Sequence, residues 1–144
     1  MSPRWARVND LIPFVHVSDL PRSIAFYELL GFEVGDTYEV DGELRWVALQ
    51  HAHARIMLEL ASAPIDPRQQ AVLFYLYADD LDWLRDRLLA HGLRVGPIRD
   101  GSPGPEREVR ISDPDGYCLM IAESTGQRVF VRGTAQARAG RRGA

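Results

Sequence analysis

Two stretches of this chain match each other position by position: Ile12-Pro-Phe-Val-His-Val-Ser-Asp-Leu20 and Leu73-Phe-Tyr-Leu-Tyr-Ala-Asp-Asp-Leu81. The same offset of 61 residues recurs further along, where Gly31 falls on Gly92 and residues 55–61 fall on residues 116–122 without a gap. Self-similarity at a fixed offset indicates a duplicated supersecondary unit. A pocket formed between the two copies would therefore take its residues from matched positions.

Each copy has the pattern of a βαβββ unit. Runs of apolar and β-branched residues predict the strands, and a capping residue, helical spacing of apolar residues and a terminal glycine predict the helix. The strands are predicted at residues 11–18, 33–38, 44–50 and 55–61 in the first copy and at 72–77, 94–98, 107–112 and 117–123 in the second. The helices are predicted to begin at Ser18 or Asp19 and at Asp79 or Asp80, and to end at Gly31 and Gly92.

These elements predict an α+β fold of two tandem βαβββ modules, residues 8–62 and 70–125, which form a curled mixed sheet with a central groove and helices outside. One unit alone cannot cover both faces of its sheet, so the two units are expected to pair within a single domain of residues 1–125. An Arg-rich C-terminal tail, residues 126–144, follows that domain.

Charge is unevenly distributed along the chain. The net charge is −3, but residues 126–144 hold five Arg and no acid, so residues 1–125 carry −8. An acidic body argues against nucleic acid as a partner and is compatible with a cationic small ligand. No apolar run approaches the ~20 residues of a membrane span. The single Cys118 excludes an internal disulfide framework and is typical of the cytoplasm.

Two motifs resemble those of a known superfamily. Val17-Ser-Asp-Leu-Pro-Arg-Ser-Ile-Ala-Phe-Tyr-Glu-Leu-Leu-Gly-Phe-Glu-Val34 is similar to the opening of vicinal oxygen chelate proteins, which include glyoxalase I, extradiol dioxygenases and bleomycin-resistance proteins. Arg107-Glu-Val-Arg-Ile-Ser-Asp-Pro-Asp-Gly-Tyr117 is similar to their second signature. The resemblance covers roughly residues 10–125 and implies the fold, whereas one fold can host many chemistries.

The resemblance also implies four metal-ligand positions, one on the first strand and one on the last strand of each module, which usually hold His and Glu. The offset of 61 places them at Ile12, Glu59, Leu73 and Met120. Among these residues only Glu59 offers an oxygen or nitrogen ligand, and a divalent metal needs several such donors. No metal and no cofactor are therefore expected. A slip of one or two residues on the first strand would bring His16 in and would break the symmetry with Leu73.

Alternation along the strands predicts which side chains line the groove. The predicted ligand-binding residues are Phe14, His16, Met57, Glu59, Tyr75, Tyr77, Glu108, Cys118 and Met120, with His16 and Glu59 also the candidate catalytic residues. Arg110 is expected to face the same way as Glu108, and Trp46 is not placed by the pattern. An aromatic, polarisable lining with a carboxylate suits a flat ligand held by stacking, with any cationic group near Glu59.

Structural alternatives exist for the same residues. The aromatic side chains can simply fill a closed groove. His16 can be a hydrogen-bonded structural histidine, and Glu59 can be paired with Arg55 or Arg110 rather than functional. His51-Ala-His53 has a spacing that can hold a metal, although its predicted place in a turn favours a solvated loop.

Two functions follow as hypotheses. The first is a metal-free small-molecule binding protein of the glyoxalase/bleomycin-resistance type, which binds an aromatic ligand, with or without a cationic group, and has an antibiotic-resistance role. The alternative is an enzyme of the same superfamily: a metal-dependent lyase or dioxygenase, or a metal-free isomerase with His16 or Glu59 as base. The resemblance implies a homodimer, and neither nucleic acid nor membrane is an expected partner.

Overall fold

The structure, a computed structural model, describes residues 8–100 and 107–124. These residues form two α-helices and two four-stranded mixed sheets, which confirms the predicted α+β fold of two βαβββ modules. The Arg-rich tail, residues 126–144, lies outside the described residues. Neither α-helix in the described part of the chain has the length and apolar character that a membrane span requires.

The first module begins with a short strand and a capped helix. Its elements are β1 (Phe14–Val17), α1 (Leu20–Leu29), β2 (Glu33–Val40), β3 (Glu43–His51) and β4 (Ala54–Leu60), with the sheet order β1-β4-β3-β2. Asp19 caps α1 because its side chain accepts a hydrogen bond from the Arg22 backbone N–H, and Pro21 stands in the first turn, where a missing N–H costs nothing. β1 pairs with β4 in parallel, and the other pairs are antiparallel. A single 3-10 turn, Pro67–Gln69, lies between this module and the next.

The second module repeats this plan. Its elements are β5 (Leu73–Ala78), α2 (Leu81–Ala90), β6 (Arg99–Asp100), β7 (Arg107–Ser112) and β8 (Cys118–Glu123), with the sheet order β5-β8-β7-β6. Asp80 caps α2 by accepting a hydrogen bond from the Trp83 backbone N–H. β5 pairs with β8 in parallel, as β1 does with β4. Each helix is therefore capped by one of its two predicted residues, and the two caps are 61 residues apart.

Strand alternation separates a buried face from an accessible face in each sheet. The buried side chains of the first sheet are Val15, Val17, Val47, Leu49, Ile56 and Leu58, and those of the second include Val109, Ile111, Leu119 and Ile121. Leu20 and Tyr27 of α1 and Leu81 and Leu88 of α2 are also buried. The residues between them on the strands face the other way, and these are the residues predicted to bind a ligand.

One predicted strand is wrong. Residues 94–98 are not a strand, and the edge strand β6 consists of Arg99–Asp100 alone. Pro97 has no N–H for a strand ladder, and the Arg85 Nε donates to the Gly96 carbonyl at 2.9 Å, which occupies an acceptor that a paired strand would use. Among the described residues, the outer edge of β7 is consequently paired only at Arg107 and Glu108.

The described residues separate into two compact units. The first consists of the residues up to Gln70 together with Asp113–Tyr117, and the second of Ala71–Ser112 and the residues from Cys118 onward. The turn between β7 and β8 thus belongs to the first unit although both strands belong to the second. This turn therefore differs from the two-residue turn between β3 and β4, where His51 pairs with Ala54 and the hairpin stays within one unit.

Two buried carboxylates hold this turn within the first unit. The Ser18 Oγ donates to Asp115 Oδ1 at 2.6 Å, and the Ser18 backbone N–H donates to Asp115 Oδ2 at 3.1 Å. The Tyr27 hydroxyl of α1 donates to Asp113 Oδ2 at 3.0 Å. Since Asp113 and Asp115 are only 5% and 2% exposed, each carboxylate is costly to bury without such donors.

The end of the turn contacts the first strand and the segment after β4. The Tyr117 hydroxyl donates to the backbone carbonyl of His16 at 3.1 Å. Gly116 has φ +84°, and a Cβ at this position would lie 2.5 Å from the Pro67 carbonyl oxygen. The turn therefore requires glycine here both for its backbone conformation and for its close approach to Pro67.

Burial also changes the ionisation of this turn. Desolvation raises the pKa of Asp113, although hydrogen bonds from the Tyr117 N–H, the Tyr27 hydroxyl and the Asp115 N–H partly oppose the shift. Burial, and then the charge of Asp113, raise the pKa of Tyr27. The Tyr27 hydroxyl therefore remains protonated and available as a donor at all ordinary pH values.

Candidate functional site

The accessible face of the first sheet carries a row of four polar and aromatic side chains. Pairing of the strands places His16 opposite Glu59, Glu59 opposite Trp46, and Trp46 opposite Tyr38. Residues paired across a sheet point to the same face, so one histidine, one carboxylate and two aromatic rings lie side by side. We call this set the acidic–aromatic row.

The two candidate catalytic residues are in direct contact. His16 Nε2 lies 2.9 Å from Glu59 Oε2, and their side chains are 58% and 41% exposed. An ionised carboxylate can only accept a hydrogen bond, so Nε2 is the nitrogen that carries the proton. This pair is solvent-accessible and hence available to a ligand.

The partner of Glu59 differs from the two arginines that the sequence suggested. Arg55 was one expected partner of Glu59, but its guanidinium forms an ion pair with Asp10. Glu59 instead has an imidazole partner. His16 is thus hydrogen-bonded, as a structural histidine would be, yet the bond is made at an accessible surface rather than in the core.

A second row on the same face lies beside the acidic–aromatic row. Phe14 pairs with Met57, and Met57 pairs with Ala48. The ring of Phe14 is half exposed and meets the His16 ring edge to face, with 5.9 Å between the centroids. The predicted residues Phe14, His16, Met57 and Glu59 are therefore brought together on one surface of the first unit.

The accessible face of the second sheet has different chemistry. Pairing places Tyr75 opposite Met120 and Met120 opposite Arg110. We call these three residues the basic row. On one side of this row Leu73 pairs with Cys118. On the other side Tyr77 pairs with Ala122, and Ala122 pairs with Glu108. The predicted residues of the second module, Tyr75, Tyr77, Glu108, Cys118 and Met120, thus share one face of their own sheet.

Glu108 is the buried carboxylate of that face. Its side chain is 7% exposed, and the Tyr75 hydroxyl donates to Glu108 Oε2 at 3.1 Å. The Tyr75 and Tyr77 rings meet edge to face with centroids 5.4 Å apart. This hydrogen bond holds the Tyr75 and Glu108 side chains in a fixed position relative to each other.

The strand register corrects the offset of 61 on the first strands. Glu59 and Met120 are 61 residues apart, but their partners His16 and Tyr75 are only 59 apart. The helices keep the offset of 61, so α1 begins four residues after His16, whereas α2 begins six residues after Tyr75. Ile12 lies before β1, and the residue that pairs with Glu59 is His16. Leu73 pairs with Cys118 rather than with Met120.

With this correction the residues next to the last-strand positions are His16 and Tyr75. Glu59 and His16 supply two metal-binding donors in the first unit, whereas Met120 and Tyr75 supply neither imidazole nor carboxylate in the second. Within residues 8–100 and 107–124, no group of three or more His, Cys, Asp and Glu side chains is arranged to hold a metal ion. A divalent cation needs more than two donors, so the donor set of the described residues does not fit the metal of the superfamily.

Sequence reasoning did not place Trp46 and did not consider Tyr38. The sequence feature that could have placed Trp46 is the two-residue turn at Ala52–His53. Once His51 pairs with Ala54, counting back along the hairpin places Trp46 opposite Glu59. Positive φ at Ala52 allows that tight turn. The His51 ring packs against Gly31 and lies 6.4 Å from the Phe32 ring.

Comparison with known proteins identifies the family. The family model described as the Glyoxalase/Bleomycin resistance protein/Dioxygenase superfamily matches residues 9–121. The chain therefore belongs to this superfamily. A search of the curated proteins found no match.

Solved structures share the fold at low sequence identity. A bleomycin-binding protein complexed with bleomycin is 20% identical, with a TM-score of 0.65 over 81% of this chain and 99% of that chain. TnmS3, an antibiotic-binding protein from Streptomyces sp. CB03234, is 22% identical, with a TM-score of 0.62 over 83% and 100%. The fosfomycin resistance protein FosX from Listeria monocytogenes is 16% identical, with a TM-score of 0.65 over 83% and 96%.

Proposed function

We propose that this chain is a metal-free small-molecule binding protein, and that the acidic–aromatic row binds an aromatic, cationic ligand. The observation that carries this proposal is the placement of Glu59 directly between His16 and Trp46. A carboxylate attracts a cation, and an indole face adds attraction for the same charge and a stacking surface for a ring.

Exposure of aromatic surface on this face supports a ligand. Tyr38 is 60% exposed and Phe14 is 50% exposed, although large aromatic side chains usually gain stability from burial. Together with Trp46 and Met57 they offer a polarisable surface beside a negative charge. A flat cationic molecule would cover that surface and neutralise Glu59.

Similar folds in binding proteins also support the proposal. One neighbour is complexed with bleomycin, and another is an antibiotic-binding protein. We extend a binding role of this kind to the present chain, with antibiotic resistance by sequestration as the biological outcome. On the second sheet, Tyr75, Tyr77, Glu108, Cys118 and Met120 are proposed to contact ligand on their own face.

Absence of a metal is part of this proposal and rests on the donor set. His16 and Glu59 alone leave a divalent ion short of ligands. Stoichiometric metal in protein purified without added chelator, with ligand binding lost on chelation, would overturn the metal-free assignment. We also propose a cytoplasmic homodimer, for which light scattering of the full chain gives the mass.

The decisive experiment compares two ligands that differ only in charge. N-methylacridinium carries a permanent positive charge, whereas acridine has the same ring system and is mainly neutral at pH 7.5. We expect the wild-type protein to bind the cation more tightly in calorimetric titrations. Glu59→Gln should weaken N-methylacridinium binding at least tenfold and leave acridine binding within about twofold, because only the cation uses the carboxylate.

Two further variants separate stacking from charge. Trp46→Ala should weaken both ligands, by roughly 3- to 30-fold, since it removes the stacking surface and the cation–π attraction. Glu43→Gln is the matched control for Glu59→Gln. Glu43 is an exposed acid of β3, the strand next to β4, and it pairs with Arg45. Equal losses in Glu59→Gln and Glu43→Gln would show that only general charge matters, and would sink the proposal.

A metal-free isomerase is the second candidate, favoured by the contact between His16 and Glu59. With Nε2 donating to the carboxylate, Nδ1 of a neutral imidazole keeps the lone pair that a general base needs. Under this function His16→Gln would abolish turnover of a carbonyl substrate while retaining its binding. Under the binding function His16→Gln would change affinity alone.

A further inference from the structure

A depression of about 320 Å³ in the second unit is lined by Leu93, Arg94, Arg110, Ile111 and Ser112. The geometry points to an oxyanion site here, at which Arg94, Arg110 and Ser112 bind the phosphate group of a small molecule. This site goes beyond the proposed function, because it recognises a negative group whereas the acidic–aromatic row recognises a positive one.

The charges that line the depression have no partner within the described part of the chain. Other arginines have carboxylate partners within 4 Å, namely Arg22, Arg45, Arg55, Arg68 and Arg107. The side chains of Arg94 and Arg110 have neither a hydrogen bond nor an ion pair among the described residues. No described residue of the lining is acidic, so the local charge opposes the −8 carried by residues 1–125.

The wall of the depression is held in place rather than loosely packed. Arg94 precedes the short segment that ends at Gly96, and the Arg85 Nε of α2 donates to the Gly96 carbonyl at 2.9 Å. On the opposite wall, Ile111 is 2% exposed, so β7 is anchored in the core at the point where Arg110 and Ser112 flank it. A fixed spacing between two guanidinium-bearing segments suits recognition of one group by both.

Chemistry of the donors selects the ligand class. Guanidinium groups match phosphate oxygens with paired N–H donors, and the Ser112 hydroxyl adds another donor. The two positive charges of Arg94 and Arg110 balance the charge of a phosphate monoester dianion. The volume also exceeds that of one phosphate ion, which leaves space for the organic part of an ester beside the apolar Leu93.

The test titrates the full chain with inorganic phosphate and with glycerol 3-phosphate at constant ionic strength. Neither probe has an aromatic ring, so neither can report on the acidic–aromatic row. We expect saturable perturbation of two arginine Nε–Hε NMR signals, and loss of those two signals in Arg94→Gln and Arg110→Gln respectively. Each variant should bind at least tenfold more weakly; tighter binding of the ester than of inorganic phosphate identifies an ester as ligand, and the reverse identifies the free ion.

Arg45→Gln removes the same charge from an exposed arginine of the first unit and should bind like the wild type. Phosphate affinity that stays at the wild-type value in all three variants, or that falls equally in all three, would overturn the site. Chloride that competes as strongly as phosphate would overturn it too. The Nε–Hε signals of the wild-type chain give an answer even where a variant folds poorly. N-methylacridinium binding unchanged in Arg94→Gln and Arg110→Gln keeps this result independent of the proposed function.

Discussion

In the first sheet the row at the centre of the accessible face consists of His16, Glu59, Trp46 and Tyr38, and in the second sheet the corresponding row consists of Tyr75, Met120 and Arg110. The backbone plan is the same: a parallel outer pair, then an antiparallel hairpin. The side chains at matched positions differ between the two sheets. Glu59 is replaced by Met120 and Trp46 by Arg110, so a row with a carboxylate in one copy corresponds to a row with a guanidinium in the other.

This difference shows what a duplicated scaffold preserves. The buried faces of both sheets keep aliphatic residues such as Leu58 and Leu119, because a change in volume or polarity at a packed position destabilises the fold. The accessible faces are less restricted by packing, and their side chains differ at matched positions. Fold membership therefore does not transfer the chemistry of one module to the other, and each face has to be assigned from its own residues.

The turn after β7 gives the largest expected effect. It joins the first unit, whereas the turn after β3 stays within its own hairpin. Gly116→Ala would place a Cβ 2.5 Å from the Pro67 carbonyl oxygen at φ +84°. Because a backbone penalty and overpacking both apply, we expect a loss of about 3 kcal/mol in the free energy of unfolding, measured by urea titration.

Gly42→Ala is the matched control for this prediction. Gly42 also has positive φ, at +77°, but apart from Gly42 and its two chain neighbours no described atom lies within 4 Å of the position that a Cβ would take there. Only the backbone penalty applies, so the expected loss is about 1 kcal/mol. Equal losses in the two variants would mean that Pro67 yields easily and that the turn does not depend on close approach.

Ser18 and Asp79 sharpen the comparison between the two strand ends, since they occupy matched positions ahead of the helix caps. Ser18 donates two hydrogen bonds to the buried Asp115, whereas Asp79 is exposed. Ser18→Ala removes a charge-assisted hydrogen bond and should cost about 2 kcal/mol. Asp79→Ala should change the free energy of unfolding by less than about 0.5 kcal/mol. Similar costs at both positions in thermal or urea unfolding would contradict a special role for the turn in the first unit.

How much of the fold and site was accessible from sequence depends on the range of the interaction. Asp19 and Asp80 were found because capping is local, and the sides of the strands were found because alternation is local. The contact of His16 with Glu59 was missed because the register between strands distant in sequence is not set by a local pattern, and the offset of 61 does not hold between the paired residues of the first strands. The edge strand at 94–98 was wrong because Pro97 lacks an N–H and because the Arg85 side chain of α2 occupies the Gly96 carbonyl that a paired strand would use.

The smallest effect concerns pH. Desolvation raises the pKa of Asp113 above the value of 3.8 expected for an unfolded chain, so between these two pKa values the folded state holds the proton more tightly. The stability contributed by Asp113 is therefore present at low pH and is lost as pH rises through the raised pKa. Asp113→Asn cannot titrate, and the free energy of unfolding of the variant relative to wild type should increase as pH rises from about 4 to 7.

Asp66→Asn provides the control with the opposite sign. Hydrogen bonds from Arg68 lower the pKa of Asp66, so its contribution to stability is present above its unfolded pKa and is lost as pH falls. The stability of Asp66→Asn relative to wild type should thus decrease as pH rises over the acidic range. Urea titrations at a series of pH values measure both differences. A flat or falling difference for Asp113→Asn would show that the hydrogen bonds from Tyr27 and the turn backbone outweigh desolvation, and that the buried carboxylate stabilises the turn as an anion.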